Sequence, residues 1–88
     1  MWTVAVKRKL LRKIAALPIR VQALFANLKS DLEANGPEQP SWSNYSKLDR
    51  NKYHCHLTHH YVACWKVEAD NTLIMEVYYV GTREGAPY

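Results

Sequence analysis

"KYHCHLTHHYVACWKVEADNTLIMEVYYV", Lys52 to Val80, is the stretch whose reading decides the fold. Three runs within it, 52–57, 61–67 and 72–80, are rich in the β-branched and aromatic residues that suit a pleated, half-buried surface. "THH" and "EADN" separate them and are short enough for hairpins. An antiparallel meander is predicted, with Trp65, Val67, Met75 and Val77 recurring at period two as core residues.

Outward from the meander, "WTVAV" (2–6) reads as a further strand. In "KRKLLRKIAAL" (7–17), Leu10, Leu11, Ile14 and Leu17 recur at helical spacing while Arg8, Lys9, Arg12 and Lys13 take the other face. Pro18 ends that helix and opens a second one, because proline lacks an N–H and its fixed φ suits a first turn. From Ile19 to Ala34, Val21, Leu24, Phe25, Leu28 and Leu32 form one apolar stripe, which "NGP" (35–37) closes with a left-handed cap and a proline. Residues 36–46 read as a surface connection anchored by Trp42 or Tyr45. The predicted fold class is α+β: an N-terminal strand and a two-helix hairpin packed on an antiparallel sheet, so that both helical stripes are buried.

The 88 residues suffice for one domain, 1–88, and are too few for two separate cores. At 48% apolar and 23% charged, the composition excludes wholesale disorder and fibrous repeats. The net charge of +4 is uneven, with seven basic side chains and no acid before Asp31. A polyanion or an acidic protein is the ligand class such a half attracts, against simple solvation of a basic helix face. Lys7, Arg8 and Lys9 interrupt the place where the apolar part of a secretory signal would lie, so a cytoplasmic chain with reduced Cys55 and Cys64 is expected. No apolar run approaches the ~20 residues that cross a bilayer, so no membrane partner is expected.

All four histidines and both cysteines fall within "YHCHLTHHYVACW" (53–65). Strand alternation puts His54 and His56 on one face and Tyr53, Cys55 and Leu57 on the other, with the imidazoles expected on the open side of the sheet. Three readings stand. A metal site would need His54, His56 and either His59 or His60 to converge, without the paired C-x-x-C or H-x(3–5)-H segments usual for zinc. A purely structural reading makes them surface residues of a hairpin. A chemical reading takes two imidazoles on one face, two strand steps (~6.5 Å) apart, as base and acid at a phosphodiester.

From Lys47 onward, "KL…YHCHL…YVACWKV…LIMEVYYVGTREGAPY" resembles the RelE/ParE superfamily of toxin–antitoxin toxins, especially the RelE/HigB-like messenger-RNA interferases. "VGTRE" followed by a C-terminal tyrosine carries most of the likeness; the first half of the chain agrees in its order of elements. The strand matching "YHCHL" has the form Y-K-x-K-L in RelE, which places a basic pair on His54 and His56. The V-G-x-R-E arginine falls on Arg83, and the family's terminal tyrosine on Tyr88. Where the family often has an arginine after the tyrosine opening the middle strand, this chain has Val62, with His60 on the other side of Tyr61.

The resemblance implies a toxin of a type II toxin–antitoxin system that cuts translated messenger RNA on the ribosome by metal-independent 2′-hydroxyl attack, without a cofactor. It gives His54 and His56 proton transfer, Arg83 stabilisation of charge on the phosphate, and Tyr88 stacking on a base or proton donation. Tyr88 ends the chain, where mobility is expected until substrate orders it. Lys47, Lys52, His60 and Lys66, with Arg8, Lys9, Arg12 and Lys13 of the basic helix, are the expected RNA contacts. The implied partners are a cognate antitoxin, the ribosome and its message. A ParE-type inhibitor of DNA gyrase and a toxin-like binding module without catalysis are the competing functions.

Overall fold

In a computed structural model, which describes residues 1–69 and 72–88, the chain runs β1 (Thr3–Val6), α1 (Arg8–Ala15), α2 (Ile19–Asn35), β2 (Ser46–Lys47), β3 (Lys52–His56), β4 (Tyr61–Val67) and β5 (Ile74–Thr82). The sheet order is β1-β5-β4-β3-β2. Strands β2 to β5 pair antiparallel, in the expected meander, and the fold is α+β. The N-terminal strand adds itself to the sheet, pairing parallel with β5 from Thr3↔Ile74 to Val6↔Val77. Ser46 and Lys47, within and just past the segment read as a connection, form the short edge strand β2. Two residues are too few to show a period in sequence.

The link between β3 and β4 closes tightly, with the Leu57 N–H donating to the Tyr61 carbonyl at 2.8 Å. Asp70 and Asn71 of the expected "EADN" turn lie outside the described residues. Between α1 and α2, the Gln22 amide donates to the carbonyls of Ala15 (3.1 Å) and Leu17 (2.8 Å), which satisfies groups that the end of α1 leaves open. Arg12 and Lys13 in the last turn of α1 also complement its dipole. At the end of α2, Gly36 has φ +91° and donates its N–H to the Leu32 carbonyl at 2.9 Å. A Cβ there would meet the Trp2 Nε1 at 2.9 Å, so glycine answers both the backbone sign and the close approach.

Leu10, Val21, Phe25, Leu28 and Leu32 from the helices meet Tyr53, Cys55, Ala63, Trp65, Met75, Val77 and Val80 from one sheet face in a single core. Trp65, wholly buried, forms a triangle of stacked rings with Tyr53 and Tyr45, all three centroid distances being 6.2–6.4 Å, and donates its Nε1–H to the Pro37 carbonyl at 3.0 Å. Trp42 anchors the 36–46 segment through an Nε1–H bond to the Asp31 carboxylate (2.9 Å), and the buried Gln39 amide donates to the Asp31 and Gly36 carbonyls. These bonds hold the segment that leads into β2. The helices occupy one side of the sheet, and the even-numbered residues of β3 face the other.

Candidate functional site

On that other face, β3 presents His54 and His56, which pair across the sheet with Cys64 and Val62 of β4. The ring centroids are 5.7 Å apart and the planes tilt at 62°. Each ring has a partner on its Nδ1: the Ser46 Oγ at 3.0 Å for His54 and the Asn44 Nδ2 at 3.4 Å for His56. Backbone geometry puts these partners in place. Ser46 is the register partner of His54, and the His56 N–H donates to the Ser43 carbonyl at 2.8 Å. Asn44 takes φ +52°, a conformation asparagine tolerates better than most residues.

The chain then folds back over the same face. The Arg83 N–H donates to the His60 carbonyl at 2.8 Å, tying the end of β5 to the tip of the β3–β4 hairpin, and the Ala86 N–H turns back to the Arg83 carbonyl at 3.2 Å. That turn lays the Tyr88 ring 4.5 Å from the His54 ring. Expected on an open face, His54 and His56 are in fact 7% and 8% exposed, because the tail and the Ser43–Ser46 segment cover them. Alternation along one strand shows which side a residue takes, and the cover comes from segments distant in sequence. Tyr88, expected mobile at the chain end, lies against His54 and remains half exposed.

The electrostatics follow from that crowding. Burial holds both imidazoles below their ordinary pKa of 6.5, and a neighbouring positive charge adds to it: His56 at His54, and Arg83 then His59 at His56. Hydrogen bonding of the His54 ring to the Ser46 backbone, which accepts, partly offsets this. Burial likewise pushes the Cys64 thiol up to about 12, as it does the hydroxyl of its hydrogen-bond partner Tyr78. Cys55, on the core face, is also held at about 12 by burial and the nearby Cys64. Both thiols are free and inert as nucleophiles at neutral pH. The Tyr88 hydroxyl is raised, first by burial, and keeps its proton.

The other expected contacts divide between faces. Lys52 and Lys66 are register partners on the histidine face, and Lys66 pairs with Glu76 at 3.9 Å. His60 is exposed at the hairpin tip, its ring 5.0 Å from that of His59. Lys47 departs from the set: it is the register partner of Tyr53 and lies over that ring at 5.6 Å, on the helix side. Arg8, Lys9, Arg12 and Lys13 are exposed on α1, whose Leu10 is in the core, so they too lie on the helix side of the sheet. Helical periodicity showed that α1 has a charged face; only the packing shows that the sheet stands between this face and the imidazoles. Among the described residues, no three His, Cys, Asp or Glu side chains converge as metal ligands.

An open cleft of about 270 Å³, lined by Ser43, Asn44, His56, Thr58 and His59, adjoins the His56 ring. A larger one, about 730 Å³, lies at the opposite end of the strands against Trp2, Arg50, Tyr53 and Leu73 and includes none of these groups. Asn44 and Ser46 were missed from sequence. "SNYS" reads as ordinary loop composition, and a two-residue strand gives no signal that it will reach two histidines.

No protein-family model matches the sequence, and no curated protein matches it either. Solved structures do. The YoeB–YefM complex from Staphylococcus aureus matches with TM-score 0.69 at 10% identity, over 92% of this chain and 95% of that one. The YoeB dimer from the same organism matches with TM-score 0.68 at 13% identity, over 91% and 94%. The conserved hypothetical protein HP0894 from Helicobacter pylori matches with TM-score 0.55 at 13% identity, over 96% and 97%. At such identities the likeness is one of fold, and over nearly its whole length the chain has the RelE-like α+β fold that it shares with YoeB.

Proposed function

We propose that this chain is the toxin of a type II toxin–antitoxin pair and cleaves translated messenger RNA on the ribosome by attack of a ribose 2′-hydroxyl on the adjacent phosphate. The observation that carries the reading is the gathering of His54, His56, Arg83 and Tyr88, from two distant segments, on the sheet face away from the helices. Such a reaction needs a group to take the 2′-hydroxyl proton, hydrogen-bond donors and a guanidinium for the phosphate charge, and a platform for a base. His54 and His56 supply the imidazoles, Arg83 the cation and Tyr88 the ring. Tyr88 leaves His54 to stack on an RNA base, which uncovers the imidazole for the 2′-hydroxyl. His60, Lys52 and Lys66 lie toward the RNA, and the basic face of α1 binds ribosomal RNA behind the sheet.

The partner that restrains the toxin is an antitoxin, as the YoeB–YefM complex of the fold neighbour suggests. It acts by covering the histidine face or by holding the tail. Induced expression is the test. Growth arrest with new 5′-hydroxyl ends in translated messages, both lost in His54→Ala/His56→Ala, supports the nuclease. Full toxicity and cleavage in that double variant refute the site, and inhibition of gyrase supercoiling without message cleavage favours the ParE-type alternative.

A further inference from the structure

We infer that Tyr79 is a positioning residue whose hydroxyl clamps the Thr82–Arg83 peptide and so sets where the Arg83 guanidinium stands on the histidine face. The clamp belongs to the free protein; its consequence for cleavage rests on the nuclease reading above.

A skip in the register brings Tyr79 to the site. Trp65 pairs with Val77, yet the preceding Cys64 pairs with Tyr79, which leaves Tyr78 as an extra residue in β5. Regular alternation from the buried Val77 would turn Tyr79 into the core. The skip turns it onto the histidine face instead, in one row with Cys64 and His54. Gly81 follows in the row of Val62 and His56, and Arg83 comes level with His60.

From there the Tyr79 side chain runs along its own strand, past Gly81, and its hydroxyl donates to the Thr82 carbonyl at 2.7 Å. A Cβ on Gly81 would stand 2.8 Å from that hydroxyl oxygen and 3.0 Å from the ring carbon bearing it, and a Cβ on Gly85 would stand 2.9 Å from the oxygen. The two glycines leave the slot that the phenol fills. What the bond holds gives it its consequence. The Thr82 carbonyl and the Arg83 N–H belong to one planar peptide, whose carbonyl accepts from Tyr79 while its N–H donates to the His60 carbonyl at 2.8 Å. A peptide held at both polar ends cannot swivel, so the direction in which Arg83 leaves the chain is fixed.

Arg83 depends on this backbone for its direction. The residue is exposed, and among the described residues no carboxylate pairs with its guanidinium. Beyond it the turn closes on itself, with the Gly85 N–H donating to the Thr82 Oγ1 at 3.3 Å and the Ala86 N–H to the Arg83 carbonyl at 3.2 Å. Stabilising charge on a phosphate needs donors already in place, and a displacement of about 1 Å costs a reaction on the order of 10²-fold. Tyr79 touches no reacting atom in this scheme. It acts through Arg83 alone.

The test uses Tyr79→Phe in the full chain, which keeps the ring in its slot and removes only the hydroxyl. Amide hydrogen exchange read by NMR should quicken by about 5- to 10-fold at Arg83, the effect of losing one hydrogen bond, and stay unchanged at Leu28 in the core. Tyr78→Phe should leave the Arg83 amide as it was. The His56 titration senses the charge of Arg83, so it should move upward in Tyr79→Phe, by less than in Arg83→Gln, and no further when Tyr79→Phe is added to Arg83→Gln. In cleavage of a ribosome-bound message, Tyr79→Phe should lower kcat by about 10-fold with KM held within about twofold, and should cost less than about twofold in the Arg83→Gln background. The inference is overturned by an Arg83 amide that exchanges as before, by equal quickening at Leu28 or in Tyr78→Phe, by an unmoved His56 titration, or by losses of cleavage that multiply in the double variant. A loosened Arg83 amide and a shifted His56 titration in a chain that cleaves no message uphold the clamp and reject the nuclease reading separately.

Discussion

Acid should destabilise this protein through His54 and His56 before its carboxylates titrate. Both rings are under 10% exposed, their centroids lie 5.7 Å apart, and burial holds each pKa below 6.5. A group whose folded pKa is depressed binds more protons in the unfolded chain, so stability is fully present above the unfolded pKa and is lost as pH falls below it. The window therefore opens near pH 6.5 and extends down to the folded pKa values. An imidazole that stayed neutral throughout would forfeit about 1.3 kcal/mol between pH 7 and 5.5, and the pair about 2.5 kcal/mol. If both were charged at 5.7 Å they would repel by about 0.7 kcal/mol in bulk water and about 3 kcal/mol at an effective dielectric near 20, so the second proton resists more than the first. Urea unfolding at pH 7, 6.25 and 5.5 measures the loss directly. A free energy flat across this range, or a decline of the same size in His54→Gln/His56→Gln, would refute the account.

Tyr88→Ala removes part of the cover from His54, so the His54 titration should move up toward 6.5 while that of His56 moves less; an unchanged His54 titration in NMR would show that the tail does not rest on it. Arg83→Gln should raise the His56 pKa by removing a positive neighbour and lower message cleavage by about 10²- to 10³-fold, read by NMR titration and by primer extension respectively. Trp65→Ala should cost about 3–5 kcal/mol in urea unfolding, whereas Trp65→Phe, which keeps a ring against Tyr45 and Tyr53 but loses the bond to Pro37, should cost about 1–3 kcal/mol. Replacing Arg8, Lys9, Arg12 and Lys13 with glutamine should flatten the salt dependence of ribosome binding and leave the His54 and His56 titrations unmoved, because the sheet lies between.

Much of the frame was legible because local physics writes it with a period. Val21, Leu24, Phe25, Leu28 and Leu32 marked α2, Gly36 marked its end, and "YVACWKV" matched β4 residue for residue. The parallel pairing of β1 with β5 was not legible, since no local signal reports which edge a distant strand will join. The same holds for β2. Its two residues leave no pattern, yet through Ser46 and the preceding Asn44 this segment supplies both Nδ1 partners of the site.

His54 and His56 share a face because strand geometry alternates side chains, and this the amino-acid order alone determined, together with the separation of both rings from Cys55. Only the tertiary structure decided that the face is covered, that Arg83 returns to the hairpin tip and Tyr88 to His54, and that the basic helix sits behind the sheet. The reason is one of range. Backbone alternation and helical period act over a few residues and can be read along the chain, whereas burial, and with it the depressed pKa of each imidazole, arises from the Ser43–Ser46 segment and from a tail some thirty residues away, which meet the strand only when the chain folds.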